Sequence, residues 1–283
     1  MRTRDEEEGA MLRRGGRALL GALLLVVVIQ SPVSAAAPLP HSMAGTGDSI
    51  SRAYNTGFWP FTDNPAGSWS TGTTASVNSH YLRIRALNPA IQGKAYNDAR
   101  SGALMRDLNG QMATVVAQRV DYVTVLMGGN DVCQPTEAQM TDAVLFESQF
   151  KAAMDTLTAG SPGTRVFVLT IPNVYNLWAV LKNNGTARFI WALGQVCQSM
   201  LKNPLSTAQA DVDRRVRVLA REQAFNDVLK NVCGLYTQCR FDNHAVFNTA
   251  FTAGDVSTRD YFHPSVAGQA KLAAGTWAVG FWP

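Results

Sequence analysis

The 283-residue sequence predicts an α/β fold, with a parallel sheet held between layers of helices. Two stretches carry most of that expectation. Residues 121–127 (Asp-Tyr-Val-Thr-Val-Leu-Met) and 165–171 (Arg-Val-Phe-Val-Leu-Thr-Ile) are, after a charged first residue, unbroken β-branched and apolar runs. Strands read that way when both faces of the sheet are covered. The third observation is alternation. Each run is followed by segments with helical spacing of apolar residues, and such crossovers are right-handed and make neighbouring strands parallel.

The chain opens with a segment that reads as an export signal. Arg13, Arg14 and Arg17 precede an apolar run over residues 18–29, broken only by Gly21. Ser31-Pro32 ends the run, and Val33-Ser34-Ala35-Ala36-Ala37 offers small residues for a peptidase. The run is short of the roughly 20 apolar residues a bilayer span needs. The expected division is therefore residues 1–37 as signal and 38–283 as one domain, secreted and without a stable membrane span. An uncleaved anchor is the alternative.

The first strand is placed at residues 40–43, a poor strand by composition, because something must present the Gly-rich turn that follows. Residues 49–55 are expected to open a helix. Residues 57–74 carry three Gly and two Pro with Phe58, Trp59, Phe61 and Trp69, the composition of a long loop. A helix is expected over 77–87 and a short strand over 94–97. Gly102 is expected to start a helix reaching residue 118, with Leu104, Leu108, Met112 and Val115 on one face. The strand at 121–127 then ends in Gly128-Gly129-Asn130-Asp131. A helix is expected over 136–157, the second clear strand at 165–171, and helical pieces over 173–203. Residues 207–232 read as a long amphipathic helix with Val212, Val216, Leu219 and Phe225 inward. A last short strand region near 240–247 precedes a terminal helix over 264–277.

Composition excludes several functions. The formal net charge is +4. Residues 1–37 hold five of the 25 basic and four of the 21 acidic residues, so the remainder carries 20 against 17, about +3. No cluster of Lys and Arg with interleaved aromatics appears, so nucleic-acid binding has no support. Four cysteines in an exported chain point to disulfides, and three pairings exist. Cys233–Cys239 is favoured because the two are close and flank a helix-to-strand turn, which leaves Cys133–Cys197. Metal binding is the rival reading, and no Cys-x-x-Cys or Cys-x-x-His spacing supports it.

Four segments fall where strands should end or just before the last helix, and sites in such sheets lie at the carboxyl ends of strands. Acyl transfer by serine needs an exposed hydroxyl, a base, a group that orients the base, and donors for the developing oxyanion. Ser49, in Gly47-Asp48-Ser49, offers the hydroxyl at a strand-to-helix turn, although an N-cap is its plain alternative. Among His41, His80, His244 and His263, only His263 has a carboxylate at a useful spacing, Asp260, three residues before it. Asn130 follows two glycines at a strand end and offers an amide, although Gly-Asn is also ordinary turn chemistry. Gly102 offers a backbone N–H with room for close approach. Asp131 reads as a cap.

With Gly47-Asp48-Ser49-Ile50, Gly102, Gly128-x-Asn130-Asp131 and Asp260-x-x-His263 in this order, the chain resembles the SGNH, or GDSL, family of hydrolases over nearly its whole mature length. It departs from the pattern in Ile50, where Leu is commoner, and in a weakly apolar lead-in to Ser49. The resemblance implies a three-layer α/β/α sandwich, flavodoxin-like, with a central parallel sheet of about five strands. It implies Ser49 as nucleophile, His263 as base, Asp260 as its orienting carboxylate, and the oxyanion donors Ser49 N–H, Gly102 N–H and the Asn130 amide. These match the roles read from the residues. No metal or cofactor is implied.

The expected activity is hydrolysis of carboxylic esters through an acyl-enzyme on Ser49, on small-molecule or lipid substrates, by a monomer. A polysaccharide or glycoside O-acetylesterase of the same fold is the first alternative, and a non-catalytic secreted binding module the second. Phe58, Trp59, Phe61 and Trp69, with Tyr175, Trp178 and Trp191, are expected to border the site as an apolar wall. Core filling beneath long loops is the competing account of them.

Overall fold

The computed structural model describes residues 37–282. The expected export signal lies, but for Ala37, outside the described residues. Five parallel strands form one sheet: β1 (Met43–Gly47), β2 (Ala95–Asn97), β3 (Tyr122–Leu126), β4 (Arg165–Val168) and β5 (Cys239–Phe241), in the order β2-β1-β3-β4-β5. That is the flavodoxin-like order. The helices are α1 (His80–Leu87), α2 (Leu108–Gln118), α3 (Gly129–Val132), α4 (Ala143–Gly160), α5 (Val174–Leu181), α6 (Gly185–Leu193), α7 (Gln198–Leu201), α8 (Gln209–Cys233) and α9 (Val266–Ala278).

Alternation along the strands makes two cores. Val123 and Val125 of β3 and Val166 and Val168 of β4 pack with Met112 of α2, Phe150 of α4 and Phe225 of α8. Tyr122 and Leu126, and Phe167 of β4, point the other way, to Ile84 of α1, Leu272 of α9 and Trp69. Successive side chains of a strand face opposite sides, so each strand feeds both layers. This is why β3 and β4 read as continuous apolar runs.

Several elements begin elsewhere than the sequence suggests, each for a local reason. The first strand is Met43–Gly47 rather than 40–43, because the small residues of the motif pair with β3 from Met43↔Tyr122 to Gly47↔Leu126. Residues 49–55 form turns and not a helix, with Ala53 and Asn55 in the left-handed region. No helix starts at Gly102. The chain turns there at φ 79, and α2 begins at Leu108 after a 3-10 turn over Met105–Asp107. The fourth helix starts at Ala143 because the Asp142 side chain caps it, accepting from Val144 and Leu145 N–H.

On α8 the inward face is Arg215, Val218, Glu222, Phe225, Asn226 and Leu229, and Val216 is 54 % exposed. Polar residues on the buried face misled the amphipathic reading. The last strand stops at Phe241, and residues 243–248 are turns.

Candidate active site

Gly47 ends β1 and sets the turn. It has φ 131, and a Cβ there would lie 2.1 Å from the carbonyl oxygen of Leu126. Only glycine fits. Gln111 of α2 clamps it on both sides, accepting from Gly47 N–H at 2.8 Å and donating to Gly47 O at 2.9 Å. Asp48 then accepts from Ile50 N–H at 2.9 Å. Ser49 is left at the carboxyl end of the sheet, only 7 % exposed, on the wall of a pocket.

A loop from the far end of the chain meets it. Ser257 N–H donates to His263 O at 2.8 Å, and Val256 bridges Pro264, so residues 257–263 close on themselves. Inside this loop Asp260 Oδ1 accepts from the N–H groups of Phe262 and His263 at 2.9 and 3.1 Å. Asp260 Oδ2 lies 2.6 Å from His263 Nδ1, and His263 Nε2 lies 2.7 Å from Ser49 Oγ. A carboxylate only accepts, so Nδ1 carries the proton and Nε2 is free to accept from the Ser49 hydroxyl. Burial pushes the Asp260 carboxyl up. The hydrogen bond and charge of His263, with the two backbone donors, outweigh it and hold the group below its ordinary range.

Asn130 sits on α3, just past β3, and lines the same pocket. One of its amide hydrogens goes to Ala103 O at 2.9 Å, which leaves the other for a ligand. Gly102 is exposed one residue before Ala103, in a turn and not among the residues that line the pocket. Asp131 does not cap the segment after it. It reaches back to Met105 N–H and across to the Thr141 hydroxyl, so it joins the 99–105 turn to the α3 end. Burial pushes the carboxyls of Asp48 and Asp131 up to about 6.

The apolar wall is not the expected one. Ile171, Val174, Leu177, Phe251 and Phe262 line the pocket. Trp69 is fully buried beneath the sheet, and Trp191 is buried with its N–H bonded to Tyr261 O at 3.0 Å. Trp178 donates to Pro204 O at 2.9 Å, while Phe58, Trp59 and Phe61 face solvent. Burial drew Trp69, Trp178 and Trp191 under the loops, and three aliphatic side chains with Phe251 and Phe262 took the wall.

Two residues were missed by sequence reasoning. Asn55 is buried and donates to Asp260 Oδ2 at 2.5 Å. Glu222 is fully buried on α8, where both its oxygens accept from Val174 N–H at 3.2 and 3.3 Å. Burial pushes its carboxyl well up, against that one backbone donor. With Asn226, which accepts from Ile171 N–H at 2.8 Å, it holds the pocket-lining segment after β4. Neither carries a sequence signal: one is in a turn, the other looks like a solvated helix charge.

Cys133 is bonded to Cys197 and Cys233 to Cys239, with Cα–Cα distances of 4.3 and 5.4 Å. The first bond fastens the chain just after α3 to the segment between α6 and α7. Among the described residues no group of three or more His, Cys, Asp or Glu side chains is placed to hold a metal ion. Among them, too, no helix is long and apolar enough to cross a membrane.

The arrangement is that of a hydroxyl poised beside an imidazole and a buried carboxylate, at the edge of an apolar pocket. A family profile described as GDSL-like lipase/acylhydrolase matches residues 46–275. The comparison with curated protein sequences gives no match. Among solved structures, the chain is similar to a protein of Parabacteroides merdae described as a GDSL-like lipase. Identity is 15 %, the TM-score is 0.51, and the match covers 84 % of this chain and 94 % of that one. It is also similar to phospholipase A1 from Streptomyces albidoflavus. There identity is 19 % and the TM-score 0.48, with 84 % and 98 % covered.

Proposed function

The chain belongs to the GDSL-like lipase/acylhydrolase family, and from that premise we propose that it is an exported serine esterase whose substrates carry an apolar acyl chain. The observation that carries this is the line from Asp260 through His263 to Ser49, 2.6 and 2.7 Å, ending at an apolar pocket. Two disulfides suit an oxidising compartment.

The ester binds with its acyl chain between Val174, Leu177 and Phe262. Ser49 Oγ attacks the carbonyl carbon while His263 Nε2 takes its proton. Asp260 keeps the imidazole oriented and offsets the positive charge it acquires. Negative charge on the carbonyl oxygen is met by the Ser49 N–H and the second amide hydrogen of Asn130; the Gly102 N–H, the third expected donor, lies in a turn outside the pocket lining. One such donor stabilises the transition state by about 3 kcal/mol. His263 returns the proton to the leaving alkoxide, which departs as the alcohol. A water then loses its proton to His263 and attacks the acyl carbon; the bond from that carbon to Ser49 Oγ breaks, His263 returns the proton to Ser49 Oγ, and the acid leaves.

A fluorophosphonate probe tests the nucleophile. Labelling should be stoichiometric in the wild type and absent in Ser49→Ala; labelling that persists in the variant refutes the assignment. A p-nitrophenyl ester series from acetyl to palmitoyl tests the acyl class. Rates should extend well beyond acetyl, and activity confined to acetyl would instead indicate an O-acetylesterase.

A further inference from the structure

Two exposed apolar groups flank the loop that carries Asp260 and His263. On one side, Phe58, Trp59 and Phe61 are 84, 68 and 62 % exposed within four residues. Single exposed apolar residues are ordinary, but three large rings on one short loop are not. Hydrogen bonds hold this loop in shape while its rings stay in solvent. Phe61 N–H donates to Asn55 Oδ1 at 2.5 Å, Asn55 N–H to Thr62 O at 3.0 Å, and the Thr62 hydroxyl to Trp59 O at 2.9 Å. Arg259 donates to Phe58 O at 2.9 Å.

On the other side, α6 buries Ala187 and Trp191 and exposes Phe189 and Leu193, 64 and 71 %, one turn apart. Trp191 ties this helix to Tyr261 O. Both apolar groups are thus bonded to residues 259–261, beside the mouth of the pocket. Charge singles out the partner. From Ile171 to Ala210 there is no Asp or Glu, and Lys182, Arg188 and Lys202 are the charged residues. The exposed loop over residues 57–62 carries no charge at all. Aromatic and Leu side chains beside a purely cationic segment match an anionic lipid surface, where rings enter the headgroup boundary and cations meet phosphates.

We propose that Phe58, Trp59 and Phe61, together with Phe189 and Leu193, form a docking face for the surface of aggregated anionic phospholipid. Docked there, the Ser49 pocket opens toward the acyl chains of the lipid layer. The role of the face rests on the esterase reading, and its binding does not.

The experiment is flotation of the full chain carrying Ser49→Ala with vesicles of phosphatidylcholine, alone or mixed roughly 3:1 with phosphatidylglycerol. The protein should float with the mixed vesicles and less with the neutral ones. Phe58→Ser/Trp59→Ser/Phe61→Ser, and separately Phe189→Ser/Leu193→Ser, should each lower the bound fraction by about tenfold or more. In the Ser49-intact enzyme the same changes should leave hydrolysis of soluble p-nitrophenyl butyrate within about twofold, the span of an unperturbed barrier. No flotation with either vesicle, or flotation unchanged in both variants, overturns the proposal. So does a dimer in sedimentation velocity that the loop variant abolishes, since the face would then join two copies of the chain. Flotation without any soluble-ester hydrolysis would refute the esterase reading and leave the docking face standing.

Discussion

Asn55 donates to Asp260 Oδ2 at 2.5 Å, on the same oxygen that accepts from His263 Nδ1. Asp260 thereby has four donors, two on each oxygen, and its carboxylate cannot turn away from the imidazole. Asn55 can reach it because its backbone is left-handed, φ 63, a conformation that Asn and Gly tolerate best. Asn55→Gly should keep that backbone and remove the donor. A hydrogen bond to a charged group contributes about 1.5–3 kcal/mol, so kcat/KM on a soluble ester should fall by about 10- to 100-fold. Steady-state rates alongside a melting curve check it; full activity in a folded variant would deny Asn55 a part in positioning Asp260.

Asn130→Ala removes an amide that both lines the pocket and holds Ala103 O. In the proposed mechanism the loss should fall on turnover, about 100- to 1000-fold in kcat. Fluorophosphonate labelling should slow in parallel. A kcat near wild type would take Asn130 out of the oxyanion site.

Gly47→Ala puts a methyl group 2.1 Å from a carbonyl oxygen of β3, at φ 131. Backbone must move there, and the β1 end must lose its register with Leu126. The variant should melt well below the wild type and lose ester hydrolysis with it, whereas Gly110→Ala, in open space on α2, should melt at or above it. Paired melting curves decide.

The disulfides close loops of unequal length, with sequence separations of 64 and 6. In the chain-entropy view they contribute about 4 and about 2 kcal/mol. Cys133→Ser/Cys197→Ser should therefore lower the melting temperature more than Cys233→Ser/Cys239→Ser. The reverse order in calorimetry would show that chain entropy is not the governing quantity here.

His80 is buried between the Tyr122 hydroxyl at 3.1 Å and the Thr276 hydroxyl at 2.8 Å. Burial, with Arg83 nearby, pushes its imidazole from 6.5 down to about 3. Between those values the unfolded chain binds a proton there that the folded chain refuses, so its share of stability is lost as pH falls from about 6.5 toward 3. Asp48 and Asp131 act with opposite sign. Raised from 3.8 to about 6, they take up protons more readily when folded, and favour the fold as pH falls through that window. His80→Gln should consequently lose less melting temperature between pH 7 and 4 than the wild type, a range that brackets the ordinary imidazole value. Parallel curves would mean that His80 is not the group that titrates.

Strands β3 and β4 were legible because a strand covered on both faces must be apolar at every position, and the run over residues 121–127 contains β3 whole. Ser49, Asp260 and His263 were legible as candidates because serine chemistry needs few residue types at short spacings, and here they stand at a strand end and in one turn. Where the aromatic residues went was not legible. Trp69 and Phe58 sit in one loop, yet one is buried in the core and the other is 84 % exposed. Asn55 and Glu222 were invisible for the same reason: each acts on a residue 205 or 48 positions away. By itself, then, the sequence determined the alternating α/β plan and the residue types able to do ester chemistry, since periodicity and local spacing are written along the chain. Only the tertiary structure decided which side chains wall the pocket, which stay in water and what steadies Asp260, because those follow from burial and from partners that folding alone brings together.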